Sequence, residues 1–201
     1  MSLIVRNKRG QFTKVLFPRT DKVFQLFADK VVKQGRKNLK SKGKDNTGTL
    51  SKSLRATAFQ EGKTGFELVF LSTDYGDFVD EGVRGVGGFK GSGKARGVGS
   101  PYRFGSGKFG GSWERFKNKI STWIKQRGIQ GRDKKGQFIS NKSLTFLIQR
   151  SIFQRGLERT LFYTKAFDKF YTRDFISKTE TAYAEDVENL LADEMNDILN
   201  N

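Results

Sequence analysis

Residues 54–72, LRATAFQEGKTGFELVFLS, contain two runs rich in β-branched and aromatic residues on either side of a glycine-bearing turn. Strands favour these residue types and turns favour glycine, so the stretch predicts a β-hairpin with strands at residues 54–59 and 66–72. The second run is apolar at the consecutive positions 68–71. Such a run is typical of a central strand that is covered on both faces.

Helical periodicity occurs on both sides of this hairpin. Before it, residues 18–41 place apolar side chains on one stripe, with Thr20 as the expected N-cap and Asp21 at the positive end of the helix dipole. We expect a single domain over residues 1–201. The later predicted helices cover residues 112–128, residues 142–154 and residue 174 to the end.

Two short basic segments predict small exposed hairpins. Residues 7–10 read Asn-Lys-Arg-Gly and residues 133–136 read Asp-Lys-Lys-Gly, and Gln-Phe follows each of them. Asn or Asp at the first position and glycine at the fourth suit a type I turn followed by a left-handed residue.

The sequence has neither cysteine nor histidine. Thiol nucleophiles, thiolate metal sites, disulfides and imidazole acid–base chemistry are therefore excluded. No apolar run approaches the roughly 20 residues that span a bilayer, so we expect no membrane segment. Because no motif with catalytic geometry remains, we expect a binding or assembly protein, without enzymatic activity and without a cofactor.

The net charge of +17 is divided unevenly along the chain. Residues 1–173 hold 37 Lys and Arg against 13 Asp and Glu, whereas residues 174–201 hold one against eight. A body this basic usually lies against a polyanion, because neutralised phosphates release their condensed counterions. The acidic last helix is interpreted either as a docking element for a neighbouring basic surface or as a solubilising or ion-pairing segment within its own subunit.

Residues 82–111 contain 12 glycines among 30 residues, interleaved with basic and aromatic side chains. Such a segment buries too little apolar surface to fold by itself, so we expect a long flexible insertion loop. It is either a nucleic-acid contact, whose cations meet phosphates while its rings stack on bases, or an assembly loop that orders against other subunits. The candidate DNA-facing or assembly residues are Arg84, Lys90, Lys94, Arg96, Arg103 and Lys108.

Two patterns come close to catalytic or metal sites without matching them. Residues 88–95 nearly form a phosphate-binding P-loop, but Ala95 replaces the Ser or Thr that holds magnesium, and no helix follows closely. The acidic residues at 74, 77, 80 and 81 do not have the spacing of a calcium loop. A one-turn helix with an acidic first turn explains them better, so we expect neither a nucleotide site nor a metal site.

Short motifs follow one another in a fixed order around the hairpin. Residues 47–54 read TGTLSKSL and residues 75–82 read YGDFVDEG, and further motifs lie at residues 123–128 and 146–166. In this order they resemble the tail-completion, or head–tail joining, family of long-tailed bacteriophages and related phage neck proteins. The positions that match the family pattern around the hairpin are Thr47, Gly48, Leu50, Ser53, Tyr75, Phe78, Val79, Glu81 and Gly82.

The resemblance implies an α+β protein with a small antiparallel sheet packed by an N-terminal helix and C-terminal helices. Its copies would form a ring in the virion neck, assembled in the host cytoplasm. The ring would join the portal-side connector to the tail tube or terminator, with double-stranded DNA passing non-specifically through its lumen. Residues 82–111 and the acidic helix at 174–201 would contact neighbouring subunits. Val83 stands where the family usually has Thr, and the glycine-rich insertion opens there. The alternatives are a tail terminator that caps the tail tube and a free basic nucleic-acid-binding protein.

Overall fold

The chain combines helices with short antiparallel strands, which confirms the α+β class expected from the sequence. It forms two compact units, residues 1–76 with 161–201 and residues 77–160. The expectation of a single domain over residues 1–201 stays a prediction, because two such units can belong to one domain. The computed structural model describes residues 4–6, 12–14, 17–61, 65–87, 94–106 and 113–199.

The first unit is organised around helix α1, Pro18–Ser41, whose bounds match the prediction. Proline suits the first helical position because its missing N–H would have no intrahelical acceptor there. The prediction that Thr20 is the N-cap is wrong, since Phe17 occupies that position and supplies no capping hydrogen bond. Thr20 instead lies buried in the first turn, where Asp186 accepts hydrogen bonds from it.

The predicted hairpin is confirmed and packs against α1. Strands β3 (Arg55–Glu61) and β4 (Gly65–Leu71) are antiparallel, with Ala58 opposite Leu68. In the described part of the chain these two strands form a sheet of their own, so the prediction that the second run is a central strand is wrong. Leu68 and Phe70 face the core, which accounts for half of the apolar run.

The core of this unit brings α1 together with the C-terminal helices. Phe27 of α1 and Ala166 of α6 (Thr164–Phe170) are buried against each other and against the hairpin. Helix α7 (Arg173–Leu199) adds Phe175, whose ring stacks on Phe27 with 4.2 Å between centroids. Burying each large apolar side chain contributes about 1.5–3 kcal/mol. The hairpin is thus packed by the N-terminal helix and by C-terminal helices, as the sequence predicted.

Short elements complete the first unit. Strands β1 (Ile4–Arg6) and β2 (Phe12–Lys14) pair antiparallel on either side of the first predicted turn, whose residues 7–10 lie outside the described part of the chain. Helix α2 (Thr49–Ser53) follows Gly48 and leads into β3.

The second unit contains helices α4 (Trp113–Arg127) and α5 (Asn141–Arg155). It also contains all of α3 (Gly76–Glu81) except its first residue. All three occur where the sequence predicted helices. Ser140 caps α5, since its Oγ accepts from the backbone N–H of Ser143 at 3.1 Å. The residue expected to cap α4, at position 112, is not among those described.

The second predicted turn, between α4 and α5, is confirmed. The backbone N–H of Gly136 donates to the carbonyl oxygen of Asp133 at 3.0 Å, and Gly136 has a φ of 82°. Asp133 Oδ1 also accepts from the N–H of Lys135 at 2.8 Å. Arg132 and Phe138 bridge the two sides of the turn, and the guanidinium lies 3.9 Å from the ring centroid.

Candidate nucleic-acid interface

A two-residue strand organises the backbone of the second unit. Strand β5 (Val83–Arg84) pairs antiparallel with β6 (Gly156–Leu157). On its other side, the N–H of Arg84 donates to the carbonyl oxygen of Tyr102 at 2.8 Å, and the carbonyl oxygen of Arg84 accepts from the N–H of Phe104 at 2.9 Å. The two ends of the glycine-rich segment are thereby joined across β5.

The end of α5 supplies further backbone partners to this segment. The N–H of Val86 donates to the carbonyl oxygen of Phe153 at 3.0 Å, and that of Arg96 donates to Arg155 at 2.8 Å. The described residues 82–87 and 94–106 are therefore anchored to the rest of the unit by backbone hydrogen bonds, and the flexibility of the loop stays a prediction. The segment buries little apolar surface, but its backbone is hydrogen-bonded to residues more than 50 positions away, which composition does not reveal.

Glycine is required here because backbone segments approach one another closely. A Cβ on Gly85 would lie 2.1 Å from the carbonyl oxygen of Gln154, and a Cβ on Gly156 would lie 2.2 Å from that of Val83. Gly97 is similarly crowded, at 2.5 Å from the same Val83 oxygen. Real Cβ atoms do not occur at such distances, so no other residue type fits without backbone movement. We call this junction of Gly85, Gly97 and Gly156 the glycine crossing.

Three exposed arginines, Arg84, Arg96 and Arg103, surround the glycine crossing and form what we call the arginine cluster. Arg84 and Arg103 are bridge partners on adjacent segments, so their side chains leave the same face. Like charges in such a pair destabilise each other. Among the residues that the structure describes, no carboxylate forms a salt bridge with any of the three. The cluster is therefore suited to receive an external anion.

A partly buried ion pair lies beside the cluster. Arg159 Nη2 is 2.5 Å from Glu81 Oε2, and the two side chains are 35% and 29% exposed. This pair joins the end of α3 to the chain that follows β6. It offsets little of the positive charge around it, because residues 77–160 carry 18 Lys and Arg against six Asp and Glu.

The two aromatic residues of this segment that the structure describes, Tyr102 and Phe104, pack within the unit. The Tyr102 ring packs edge-on against Phe78, with 4.6 Å between centroids, and Phe104 packs against Phe153 at 5.9 Å. Base stacking was one interpretation of these rings, and packing within the unit occupies both of the rings that the structure describes. The surface therefore offers guanidinium groups for phosphates rather than these rings for bases.

The six predicted contact residues divide into three groups. Arg84, Arg96 and Arg103 are brought together, and Lys94 is exposed two residues before Arg96. Lys90 and Lys108 lie outside the described residues, as do residues 88–93 of the P-loop-like pattern.

The first family motif builds the turn into α2 and anchors it. Thr47 precedes Gly48, which adopts the left-handed conformation with a φ of 74°. Leu50 is buried, and Ser53 Oγ donates to the carbonyl oxygen of Leu50 at 2.8 Å while accepting from the N–H of Thr73 at 3.2 Å. These residues hold α2 against the strands of the hairpin.

The second motif joins α3 to β5 and the chain around it. Tyr75 is exposed, whereas Phe78 packs on Tyr102. The carbonyl oxygen of Val79 accepts from Thr160 Oγ1 at 2.6 Å, and Gly82 has a φ of 69° in a site where a Cβ would collide with backbone atoms. With the Glu81 ion pair, the described contacts of this motif are structural.

The acidic residues near α3 are not gathered into a site. Asp74 and Asp77 are exposed, Asp80 is buried, and Glu81 is paired with Arg159. The described residues contain no group of three or more potential metal ligands of the His, Cys, Asp and Glu types. Nor does the described part of the chain contain a helix long and apolar enough to cross a membrane.

Two further arginines, Arg155 and Arg159, lie beside the arginine cluster and were not predicted from the sequence. Both come from the last residues of the second unit. The sequence feature that could have identified them is Gly156, which lies between them just after the predicted helix at residues 142–154. A glycine at such a place indicates a turn or a close approach of two backbone segments.

Comparison of the chain with known proteins finds no matching family model, no matching curated protein and no matching solved structure.

Proposed function

We propose that this chain is a structural protein of the neck of a long-tailed bacteriophage. Its copies form a ring that joins the head connector to the tail and lets double-stranded DNA pass through the lumen. The observation that carries this function is the arginine cluster, which is exposed, held on a hydrogen-bonded backbone and without carboxylate partners among the described residues.

The chemistry of the cluster favours a phosphate backbone as its ligand. A guanidinium group matches phosphate oxygens with two parallel N–H donors and stays charged at any physiological pH. Contacts to phosphates carry no sequence information, which suits a channel that must pass an entire genome. The packing of Tyr102 and Phe104 into the unit supports this preference over stacking on single-stranded bases.

The motif residues also support a structural role. Gly48, Ser53, Val79, Glu81 and Gly82 each contribute a turn, a hydrogen bond or an ion pair to the fold. A family that shares such residues shares a fold and its assembly, and not a reaction. The virion, the ring and its partners, namely the portal-side connector and the tail tube or terminator, come from the resemblance of these motifs.

Two alternatives differ in where the chain acts. A tail terminator would use the same basic surface at the end of the tail tube, and a free nucleic-acid-binding protein would not enter particles. Deleting the gene from its phage separates the three: loss of a neck protein leaves DNA-filled heads beside tails of normal length. Loss of a terminator leaves tails of irregular length, and loss of a free DNA-binding protein leaves joined particles.

Complementation in trans ties the result to the cluster. The wild-type chain restores joined, infectious particles, and we expect Arg84→Gln with Arg103→Gln to restore joining but to lower infectivity, because the lumen loses phosphate contacts. Lys22→Gln with Lys37→Gln, on the exposed face of α1, removes the same charge elsewhere and serves as the matched control. Joined, infectious particles in the deletion strain without any complementing chain would overturn the proposed function.

A further inference from the structure

The apolar side of the last part of α7 is exposed, and no described residue of its own chain covers it. The helix runs antiparallel to α1, with Phe175 packed on Phe27 and Asp186 at the N-terminus of α1. Residues 187–199 continue past that point for roughly 20 Å at the helical rise per residue. Leu191, Met195, Ile198 and Leu199 are 54%, 62%, 75% and 78% exposed.

The spacing of these residues makes one continuous stripe. Positions 191, 195, 198 and 199 fall on one face of a helix, as side chains three, four, seven and eight apart do. An exposed apolar stripe of this kind marks an interaction surface. We call residues 187–199, with this stripe, the α7 tip.

The charge of the α7 tip restricts what it can bind. It contains four Asp and Glu and no Lys or Arg. The side chain of Glu188 is exposed three residues before Leu191, at one end of the stripe. Two copies of the tip would bring like charges together, so a symmetric contact between tips is unfavourable. A complementary partner presents apolar side chains with basic residues beside them.

This chain carries such a surface on α5. Phe146 and Leu147 are 53% and 52% exposed, although the opposite side of the helix is buried through Leu144 and Gln149. Lys142 and Arg150 are exposed four residues before and four residues after Phe146, which places a basic residue at each end of the apolar patch. We call these four exposed residues, Lys142, Phe146, Leu147 and Arg150, the α5 face.

We propose that the α7 tip of one copy docks on the α5 face of the next copy of this chain. Apolar side chains meet in the middle of the contact, and Glu188, at one end of the stripe, meets one of the basic residues that flank the α5 face, Lys142 or Arg150. Because the two surfaces differ, the contact is head-to-tail, and repetition closes a ring or extends a filament. The arginine cluster takes no part in this contact and stays available for DNA.

The contact deepens the proposed function, because it names the interface from which the proposed ring is built. Two helix faces of this length bury less than the roughly 1,600 Å² of a standard interface. One contact alone is therefore weak, and a closed ring in which every copy uses both surfaces stabilises the assembly by linking many such contacts.

The absence of cysteine allows a direct test by site-specific cross-linking. We introduce Leu191→Cys in one preparation of the full chain and Leu147→Cys in another, both at exposed positions, and treat them with a short bifunctional maleimide. We expect a cross-linked species of twice 22.8 kDa in the mixture. Leu191→Cys mixed with Lys37→Cys is the matched control pair.

The expected yield exceeds the control pair by at least about tenfold, because a docked contact holds the two thiols at an effective concentration in the millimolar range. A chain with both Leu191→Cys and Leu147→Cys gives a ladder of multimers, as a head-to-tail contact requires. Equal yields in the test and control pairs, or efficient cross-linking of Leu191→Cys with itself, overturn the head-to-tail contact.

Charge reversal adds a second readout that does not depend on where the thiols lie. In the doubly cysteine-substituted chain, Glu188→Lys removes the ladder, and so does Lys142→Glu with Arg150→Glu. Mixing the two reversed chains restores it, since each reversed surface then meets an opposite charge. Glu180 is exposed in the part of α7 that packs on α1 of its own subunit, outside the α7 tip. We therefore expect Glu180→Lys to leave the ladder unchanged. A ladder that survives both reversals overturns the contact.

The two proposals fail in distinguishable ways. If cross-linking stays at the control level while the deletion strain accumulates separate heads and tails, the function stands and this interface is wrong. If the ladder forms as expected while the deletion strain makes joined, infectious particles, the interface stands and the neck function is wrong.

Discussion

Asp186 of α7 caps the N-terminus of α1 through Thr20. Its Oδ2 accepts from the backbone N–H of Thr20 at 2.8 Å and from Thr20 Oγ1 at 2.9 Å, while Oδ1 accepts from the N–H of Arg19 at 3.2 Å. Helix starts usually obtain this hydrogen bond from the side chain of the N-cap residue, but the Phe17 side chain has no acceptor atom. A carboxylate 166 positions away supplies it, and its negative charge also suits the positive end of the helix dipole.

We expect Asp186→Ala to lower the free energy of unfolding by about 2–4 kcal/mol, because it leaves buried N–H and hydroxyl donors without an acceptor. Glu185→Ala is the matched control. Glu185 forms an ion pair with Arg19 at 3.3 Å, but both side chains are about half exposed, so its loss changes stability by less than about 1 kcal/mol. Urea denaturation followed by circular dichroism measures both variants. Equal effects would contradict the capping role.

Burial raises the pKa of the Asp21 carboxyl above its ordinary value of 3.8. The folded state then holds the proton more tightly than the unfolded state does. The resulting stability is present in full below the ordinary pKa and is lost as the pH rises through the folded pKa. We expect the unfolding free energy of wild type, relative to that of Asp21→Asn, to be higher at about pH 4 than at about pH 7. A difference independent of pH, measured by urea denaturation, would show that burial does not affect this group.

The glycine crossing predicts a sharp contrast between two glycines with positive φ. Gly156→Ala places a Cβ against the carbonyl oxygen of Val83 and should cost at least about 3 kcal/mol, whereas Gly136→Ala meets open space and costs about 1–2 kcal/mol of backbone strain. Tryptophan fluorescence during urea denaturation reports on this unit, because both tryptophans, Trp113 and Trp123, lie in α4. Similar losses of unfolding free energy in the two variants would mean that the backbone around residue 156 shifts to accept a Cβ at no cost in stability.

The arginine cluster predicts the salt dependence of DNA binding. Each lost phosphate contact reduces the slope of log K against log salt concentration by about 0.9 for duplex DNA. Arg84→Gln with Arg103→Gln should therefore reduce the slope by about 1.8 and weaken binding equally for unrelated sequences. Fluorescence anisotropy with two unrelated duplexes at several salt concentrations measures this, with Lys22→Gln and Lys37→Gln as the charge-matched control. An unchanged slope would place the DNA contacts elsewhere.

A polar side chain in the core of the second unit predicts a stabilising substitution. Gln149 is fully buried, and its Nε2 donates to the carbonyl oxygen of Trp113 at 2.9 Å, but its Oε1 has no hydrogen-bond partner among the described residues. Gln149→Met keeps the volume and removes the unsatisfied oxygen but also gives up the bond to Trp113, so we expect a net gain of at most about 1 kcal/mol. Gln149→Ala should instead lose about 2–4 kcal/mol by leaving a cavity. A loss in the Met variant, measured by tryptophan fluorescence, would show that Oε1 is solvated.

Elements stabilised by local signals were predictable. The bounds of α1 followed from apolar periodicity and from Pro18, and the turn at Asp133 and Gly136 followed from residues whose own backbone and side chains make its hydrogen bonds. Features that depend on distant partners were not predictable in this way. Thr20 was assigned as a cap because Ser and Thr usually are, and nothing near it in the chain indicated that Asp186 would take that role.

The sequence by itself determined the helices, the hairpins and the uneven charge, because each follows from short-range periodicity, turn chemistry or composition. Only the tertiary structure decided that the glycine-rich segment is built into the second unit. The close approaches at Gly85, Gly97 and Gly156 involve segments far apart in the chain, and these approaches bring Arg84 next to Arg103. Likewise, periodicity identified the apolar faces of α5 and α7, but packing determined which apolar residues stay exposed, because exposure depends on what the rest of the fold covers.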